Sequence, residues 1–247
     1  MKTAIISDIH SNLDALTACR DHALAQGVER FVCLGDCVGY GADPGPTLDM
    51  LSGLPGLTAV LGNNDEYVIA PILEELPSAN LRKSAEWTRR QLTPAHLAFL
   101  DSLNYVRVEG DVTYVHASAL NPNEWPYVLK PSQARACLAA AVTDIVFIGH
   151  VHIPFVFEMT ATHQGTMEYE PPDDNARLLH AGSRYVVCVG SVGQPRDGDQ
   201  RACYVIHDPK ARNIRFERVP YDHDAAARKI RAAGLPDFFA ERLEQGR

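Results

Sequence analysis

Five short apolar runs in this chain end abruptly in Asp, Asn or His, and that pattern limits the folds open to it. Thr3 to Ser7 is followed by Asp8-Ile9-His10, Phe31 to Leu34 by Gly35-Asp36, and Leu57 to Leu61 by Gly62-Asn63. Val112 to Val115 runs into His116, and Ile145 to Ile148 into Gly149-His150-Val151-His152. Short apolar runs bounded by turn residues read as buried strands. In α/β sheets the loops at the carboxyl ends of strands converge, and ligands bind there. The five polar ends are therefore expected in one crevice. The glycines before Asp36, Asn63 and His150 suit sharp exits where a side chain would crowd that crevice.

Between the runs lie helical patterns. One spans Leu13 to Gln26, with Ser11 or Asn12 as its cap and Gly27 as its stop; a short one spans Pro46 to Ser52. Others cover Ser78 to Leu92, the stretch from Pro94 with Thr93 as cap, and Ser132 to Ala141, and the chain from Asp222 onward also reads as helical. Tyr105 to Val108 and Val112 to Val115, joined by Glu109-Gly110-Asp111, form a hairpin signal. Further strand-like runs are Phe155 to Phe157, Tyr185 to Val189, Ala202 to Ile206 and Ile214 to Val219, and Glu168 to Asn175 reads as an acidic loop. LGNND itself, Leu61 to Asp65, has the composition of a turn. Helices covering two sheets in a single domain, residues 1 to 247, fit this order best.

Composition removes several classes of function. With 46% hydrophobic and 22% charged residues the chain can bury a sizeable core. A formal charge of −8 without any basic stretch argues against a nucleic-acid duplex or an acidic membrane as partner. Cys19, Cys33, Cys37, Cys137, Cys188 and Cys203 have no CxxC spacing and read as reduced core thiols. The opening MKTAIISD is too short for a signal peptide, and no segment approaches the ~20 apolar residues that span a bilayer. A cytoplasmic protein is expected.

Nothing structural requires Asp-x-His, Gly-Asp, Gly-Asn, His and Gly-His-x-His in that succession. The segments SDIHSN, LGDCVGYG, LGNND, VHAS and GHVH, from Asp8 to His152, resemble in order the signature of the calcineurin-like metallophosphoesterases. The segment GSVGQPRDGDQRA, Gly190 to Ala202, is similar to one in bacterial branches related to diadenosine polyphosphate hydrolases. The resemblance implies an α/β four-layer αββα sandwich of two mixed β-sheets flanked by helices, with two metals at the strand ends. By the same resemblance Asp8, His10 and His152 hold one metal, Asn63, His116 and His150 hold the other, and Asp36 bridges them. The remaining histidines, His22, His96, His163, His180, His207 and His223, have no comparable setting.

Imidazole, carboxylate and a neutral amide suit two divalent ions such as Mn²⁺, our leading choice, or Fe, Zn²⁺, Co²⁺ or Ni²⁺. Such a pair can offer hydroxide as nucleophile at neutral pH and stabilise charge during in-line displacement at phosphorus. Arg196 is the first candidate for gripping phosphate, with Asn12 and Tyr40 as further substrate contacts. In the family pattern a His follows the ligand Asn, but here that position is Asn64, which cannot release a proton near neutral pH. The expected partner is a small phosphorylated molecule, nucleotides included. The leading function is hydrolysis of phosphodiesters or nucleotide phosphoanhydrides. The alternatives are a phosphomonoesterase, protein phosphatases included, and a non-catalytic scaffold of the same fold like the retromer subunit.

Overall fold

Strands buried on both faces need apolar residues at every position, and this is how the short runs are used in the computed structural model. Ala4 and Ile6 of β1 (Thr3–Ile6) pack under helices, while Ile5 enters the space between two sheets. In the same way Val146 and Ile148 of β6 (Ile145–Ile148) face one helix and Ile145 and Phe147 face the facing sheet. The structure describes residues 1–70, 76, 78–162, 164–169 and 176–247.

The first sheet carries β1, β2 (Arg30–Cys33) and β3 (Thr58–Ala59) in parallel, then β11 (Ala202–Asp208), β12 (Asn213–Val219) and β9 (Ala176–Leu178) antiparallel. The second runs β4 (Val106–Glu109), β5 (Val112–Val115), β6, β10 (Arg184–Cys188), β7 (Phe155–Met159) and β8 (Gly165–Tyr169). In it β5, β6 and β10 are parallel. Both sheets are therefore mixed. Their inner faces meet through Ile5, Val32, Tyr114, Phe147, Val187, Val205 and Phe216.

Helices α1 (Leu13–Ala25), α2 (Pro44–Ser52), α3 (Asn63–Ile69), α4 (Ala79–Gln91) and α5 (Pro94–Asp101) cover the first sheet. Helix α6 (Pro131–Ala140) covers the second. Helices α7 (His223–Ala232) and α8 (Asp237–Gln245) pair with each other and pack on Tyr40. The layers run helix, sheet, sheet, helix. Among the described residues no helix is long and apolar enough to cross a membrane. All six cysteines are buried and unbridged.

Some expectations need correcting. The run Leu57 to Leu61 is a strand only at Thr58–Ala59: Val60 N–H still donates to Cys33 O at 3.0 Å, but Val60 then bridges to Asn104 and Leu61 N–H donates to Asn104 O at 2.9 Å. LGNND is not a plain turn: Asn63 opens a short helix, α3. The helix predicted from Pro46 begins at Pro44, since both prolines fit a first turn that needs no N–H donors. Strands β8 and β9 escaped the sequence reading, and Glu168 and Tyr169, placed in a loop, end β8. The rest of that acidic loop and His163 lie outside the described residues.

Candidate metal centre

The loops leaving β1 and β2 are knitted together by backbone bonds. Asp8 N–H donates to Gly35 O at 3.0 Å, His10 N–H to Asp36 O at 3.0 Å, and Ser11 N–H to Cys37 O at 3.1 Å. From the second sheet, Gly149 N–H donates to His116 O at 2.8 Å, and His150 N–H reaches across to Asp8 Oδ2 at 3.0 Å. The exits are tight. Asp8, His10, Asp36, His150 and His152 have φ of 53°, 50°, 53°, 64° and 63°, a left-handed conformation rare for residues with a Cβ. Each such residue costs roughly 1–3 kcal/mol, so strain is concentrated where the predicted ligands sit.

The glycines work by proximity. A Cβ on Gly149 would lie 1.9 Å from Ser7 Oγ and 2.5 Å from Asp8 Oδ2. One on Gly62 would lie 2.2 Å from Asp36 N. Only hydrogen fits there, as the sequence led us to expect.

Two buried groups of acceptors result, Asp8, His10, Asp36 and His152 in one and Asp36, His116 and His150 in the other, each with its ligand atoms within 4.8 Å of one another. Asp36 belongs to both: its Oδ2 is 3.7 Å from His10 Nε2 and 3.5 Å from His116 Nε2. Asn63 joins the second group, its Oδ1 lying 3.1 Å from His116 Nε2. His152 Nε2 is 3.1 Å from Asp8 Oδ1.

The hydrogen bonds on the far side of each ring decide what these atoms can do. His10 Nδ1 faces Val38 O at 3.3 Å and His152 Nδ1 faces Gln194 O at 2.6 Å; a carbonyl only accepts, so both Nδ1 atoms carry the proton. The two Nε2 atoms are then bare, and they face each other at 3.2 Å. Burial pushes His10 and His150 down to about 3 and lowers His152 as well, so these rings stay neutral. His150 Nε2 is buried without a partner. Burial also disfavours a charge on His116, but the neighbouring Asp36 outweighs it and lifts that ring to about 9. Burial works against charge on Asp8 and Asp36 too, yet neighbouring histidines hold both carboxylates below the usual range. Bare ring nitrogens that face one another, as on His10 and His152, or that lack any partner, as on His150, are a poor buried arrangement on their own and a good one around cations. The residues fit metal ions of the kind imidazole and carboxylate favour.

Around this centre the segment Gly190 to Arg196 runs behind β1. Val192 and Gly193 N–H donate to Ser7 O and Asp8 O at 3.0 and 2.9 Å, and Arg196 N–H donates to His152 O at 3.2 Å. Arg196 therefore sits beside a predicted ligand, with its Nε buried and unpartnered.

Asn64 is also at the centre, but bonded to Asp36: its N–H donates to Oδ1 at 2.8 Å and its Nδ2 to Oδ2 at 2.7 Å. Asn12, expected as a substrate contact, is engaged within the protein. Its Oδ1 caps α1 at Ala15 N, and its Nδ2 donates to Gly193 O and Tyr221 Oη, which uses both amide donors. Tyr40 cannot stack on a base either, because His10 covers one face at 4.2 Å and Phe239 the other at 4.6 Å.

Of the other histidines, His22 bonds Tyr204, His96 pairs with Asp49, and His180 pairs with Glu158, all away from the centre.

Several contributors were missed. Tyr127 stacks on His150 at 4.1 Å while 47% exposed, and Trp125 sets its ring edgewise to His116 at 5.6 Å. The signal was there in NPNEWPY, Asn121 to Tyr127, just after VHAS. Asp65 accepts from Val38 N and Gly62 N, both at 3.1 Å, and so fixes the turn into α3.

Residues 1–212 match the Calcineurin-like phosphoesterase superfamily domain. An uncharacterized protein of Methanocaldococcus jannaschii is 36% identical over 99% of this chain and 98% of its own. The crystal structure of a metallophosphoesterase from Sphaerobacter thermophilus superposes with a TM-score of 0.86 at 34% identity, covering 100% of this chain and 99% of that one. A hypothetical protein from Pyrococcus horikoshii OT3 shares the fold, with a TM-score of 0.78 at 18% identity over 100% and 98% of the two chains. With a family match over most of its length and a relative of this identity along nearly all of it, the chain belongs to the calcineurin-like phosphoesterase superfamily.

Proposed function

We propose that this chain is a two-metal hydrolase of phosphodiesters or nucleotide phosphoanhydrides. The observation that carries the proposal is Asp36, one carboxylate shared by two buried groups of His and Asp side chains whose possible ligand atoms lie within 4.8 Å of one another. Two divalent ions held there would polarise phosphoryl oxygens and make water acidic enough to act as nucleophile near neutral pH. Asp8, His10 and His152 would hold one ion and Asn63, His116 and His150 the other, with Asp36 between them. Mn²⁺ is the ion we would supply first.

What the remaining residues do follows from their bonds. Asn64 holds both oxygens of Asp36 and has no proton to give at neutral pH, so it orients the shared carboxylate and leaves the departing oxygen unassisted. Substrates whose leaving group departs readily as an anion, aryl oxides or nucleotide phosphates, suit such a site; alkyl monoesters do not. General acid catalysis contributes about 10²–10⁴-fold where it operates. The protein should therefore cleave a bis-aryl phosphodiester at least about 100-fold better, in kcat/KM, than a phosphoserine peptide. Equal rates on the two would overturn this reading and favour a protein phosphatase.

Arg196 offers a guanidinium beside His152, with Nε free to donate. Its contact with a phosphate is charge-assisted and worth roughly 1.5–3 kcal/mol. Arg196→Ala should accordingly lower kcat/KM by about 10- to 150-fold while metal stoichiometry stays at that of the parent. Unchanged kinetics on every accepted substrate would return Arg196 to the role of a turn residue.

A further inference from the structure

Helix α8 lies beyond residues 1–212, the part matched by the family domain, yet it reaches the candidate centre. Phe239 caps a stack of rings that passes through Tyr40 and His10 to His152, with centroid separations of 4.6, 4.2 and 4.9 Å. The end of the helix is tied down as well. Gly198 N–H donates to Gly246 O at 2.8 Å, and Gln200 Nε2 donates to Glu244 O at 2.5 Å. These anchors place Arg242 in the last turn of α8, its guanidinium 4.3 Å above the Phe238 ring.

Arg242 and Arg196 then converge on one neutral atom. Gln194 Oε1 accepts from Arg196 Nη2 at 2.9 Å and from Arg242 Nη1 at 3.4 Å. Gln194 is buried, and its own carbonyl oxygen holds His152 Nδ1, so the cations sit one residue from the candidate metal ligands. The nearby carboxylates are committed elsewhere: Asp197 pairs with Arg218, and Asp199 with Arg201 and Arg218. Among the described residues no acid pairs with Arg196 or Arg242. Two guanidiniums sharing a single neutral acceptor repel each other, and an anion between them removes that repulsion. Burial and the nearby Arg196 both lower the affinity of Arg242 for its proton, which fits cations held together before any anion arrives.

We infer that Arg242 and Arg196 form an anion subsite beside the metal centre that takes a phosphate other than the one cleaved. The inference rests on the two-metal reading above. Two divalent ions against the two carboxylates Asp8 and Asp36 leave charge enough for the scissile phosphate and its nucleophile. The arginines add two further positive charges, which match a second, linked phosphate. Planar guanidiniums meet phosphate oxygens bidentately, so the pair favours diphosphate-bearing molecules over those with a lone phosphate.

The test is equilibrium binding, kept independent of turnover by a diphosphate analogue whose P–C–P bridge is not hydrolysed. Calorimetric titration of the Mn²⁺-loaded protein with methylenediphosphonate and with inorganic phosphate should show the diphosphonate binding at least tenfold tighter. Arg242→Ala should cut that preference by about tenfold, and Arg242→Lys should restore part of it, with thermal melting confirming that both variants are folded. An equal affinity of the parent protein for the two anions, or a preference untouched by Arg242→Ala, would overturn the subsite. Failure of the hydrolase reading looks different: the diphosphonate preference and its loss in Arg242→Ala would persist in a protein that turns over no phosphoester.

Discussion

Replacing Asp36 with asparagine should empty both metal sites and lower kcat on an activated diester by on the order of 10³-fold, about 4 kcal/mol of barrier. The carboxylate lies within 3.7 Å of His10 Nε2 and 3.5 Å of His116 Nε2, so its charge serves both groups of acceptors. Asparagine keeps the shape and removes the charge. It also sets its own amide against Asn64, whose N–H and Nδ2 already donate to the two Asp36 oxygens at 2.8 and 2.7 Å. One amide can accept only through its oxygen, so one of these two bonds is lost and donor faces donor. Elemental analysis after Mn²⁺ loading and desalting should find two ions per chain in the parent and fewer than one in Asp36→Asn, both with the same circular dichroism. A variant that keeps two ions and turns over within tenfold of the parent would remove Asp36 from its bridging place.

Gly62→Ala should damage stability and activity together. At Gly62 φ is −105°, a value any residue adopts, so the substitution carries no conformational strain of its own. What it carries is a collision. The new methyl would sit 2.2 Å from Asp36 N and 2.3 Å from Asp36 Oδ1, with Asp36 Cα at 3.0 Å. Backbone atoms cannot swing aside as a side-chain tip can, so the loop after β2 must move away from α3. Overpacking of this kind costs about 1–3 kcal/mol, occasionally more. In a chain of this size each kcal/mol lowers Tm by roughly 2–4 °C, so a fall of about 2–12 °C is expected. The displaced loop carries Asp36 out of register with His116 and Asn63, and misplacement of about 1 Å can cost 10²-fold in rate. Calorimetric melting with steady-state assays would check both effects. A variant with parental Tm and kcat would show that the turn has room the geometry denies.

Much of the centre could be read in the chain because strand ends are local. Asp8, Asp36, His116 and His150 each follow a run of residues apolar enough to be buried on both faces, and the exits at Asp36 and His150 have the glycine that close approach demands. A topology that places β1, β2, β5 and β6 side by side in two facing sheets then sends all four exits to the same edge. Other features had no local signature. Helix α3 is seven residues long, too short to show a 3.6-residue apolar rhythm, and the residue before it, Gly62, has no side chain to cap it. Tyr40 looked like a ring free to stack, but Phe239, at the far end of the chain, covers its second face. Arg242 lies in an ordinary charged helix, and only packing against the 194–200 turn turns it toward Arg196.

The sequence by itself determined which donor atoms are present, their order along the chain, and that they leave buried strands at their carboxyl ends. Tertiary structure decided which of them meet and with which lone pair forward. His10 and His152 are 142 residues apart, yet their bare nitrogens face each other because Val38 O and Gln194 O, each from a different loop, hold the protonated sides of the two rings. Asn64 shows the same division. Its identity rules out a general acid from the sequence alone, but that it spends both donors on Asp36 depends on a loop 28 residues upstream folding back over α3. Residue chemistry is written locally, whereas hydrogen-bond direction is set by whatever the fold brings within about 3 Å.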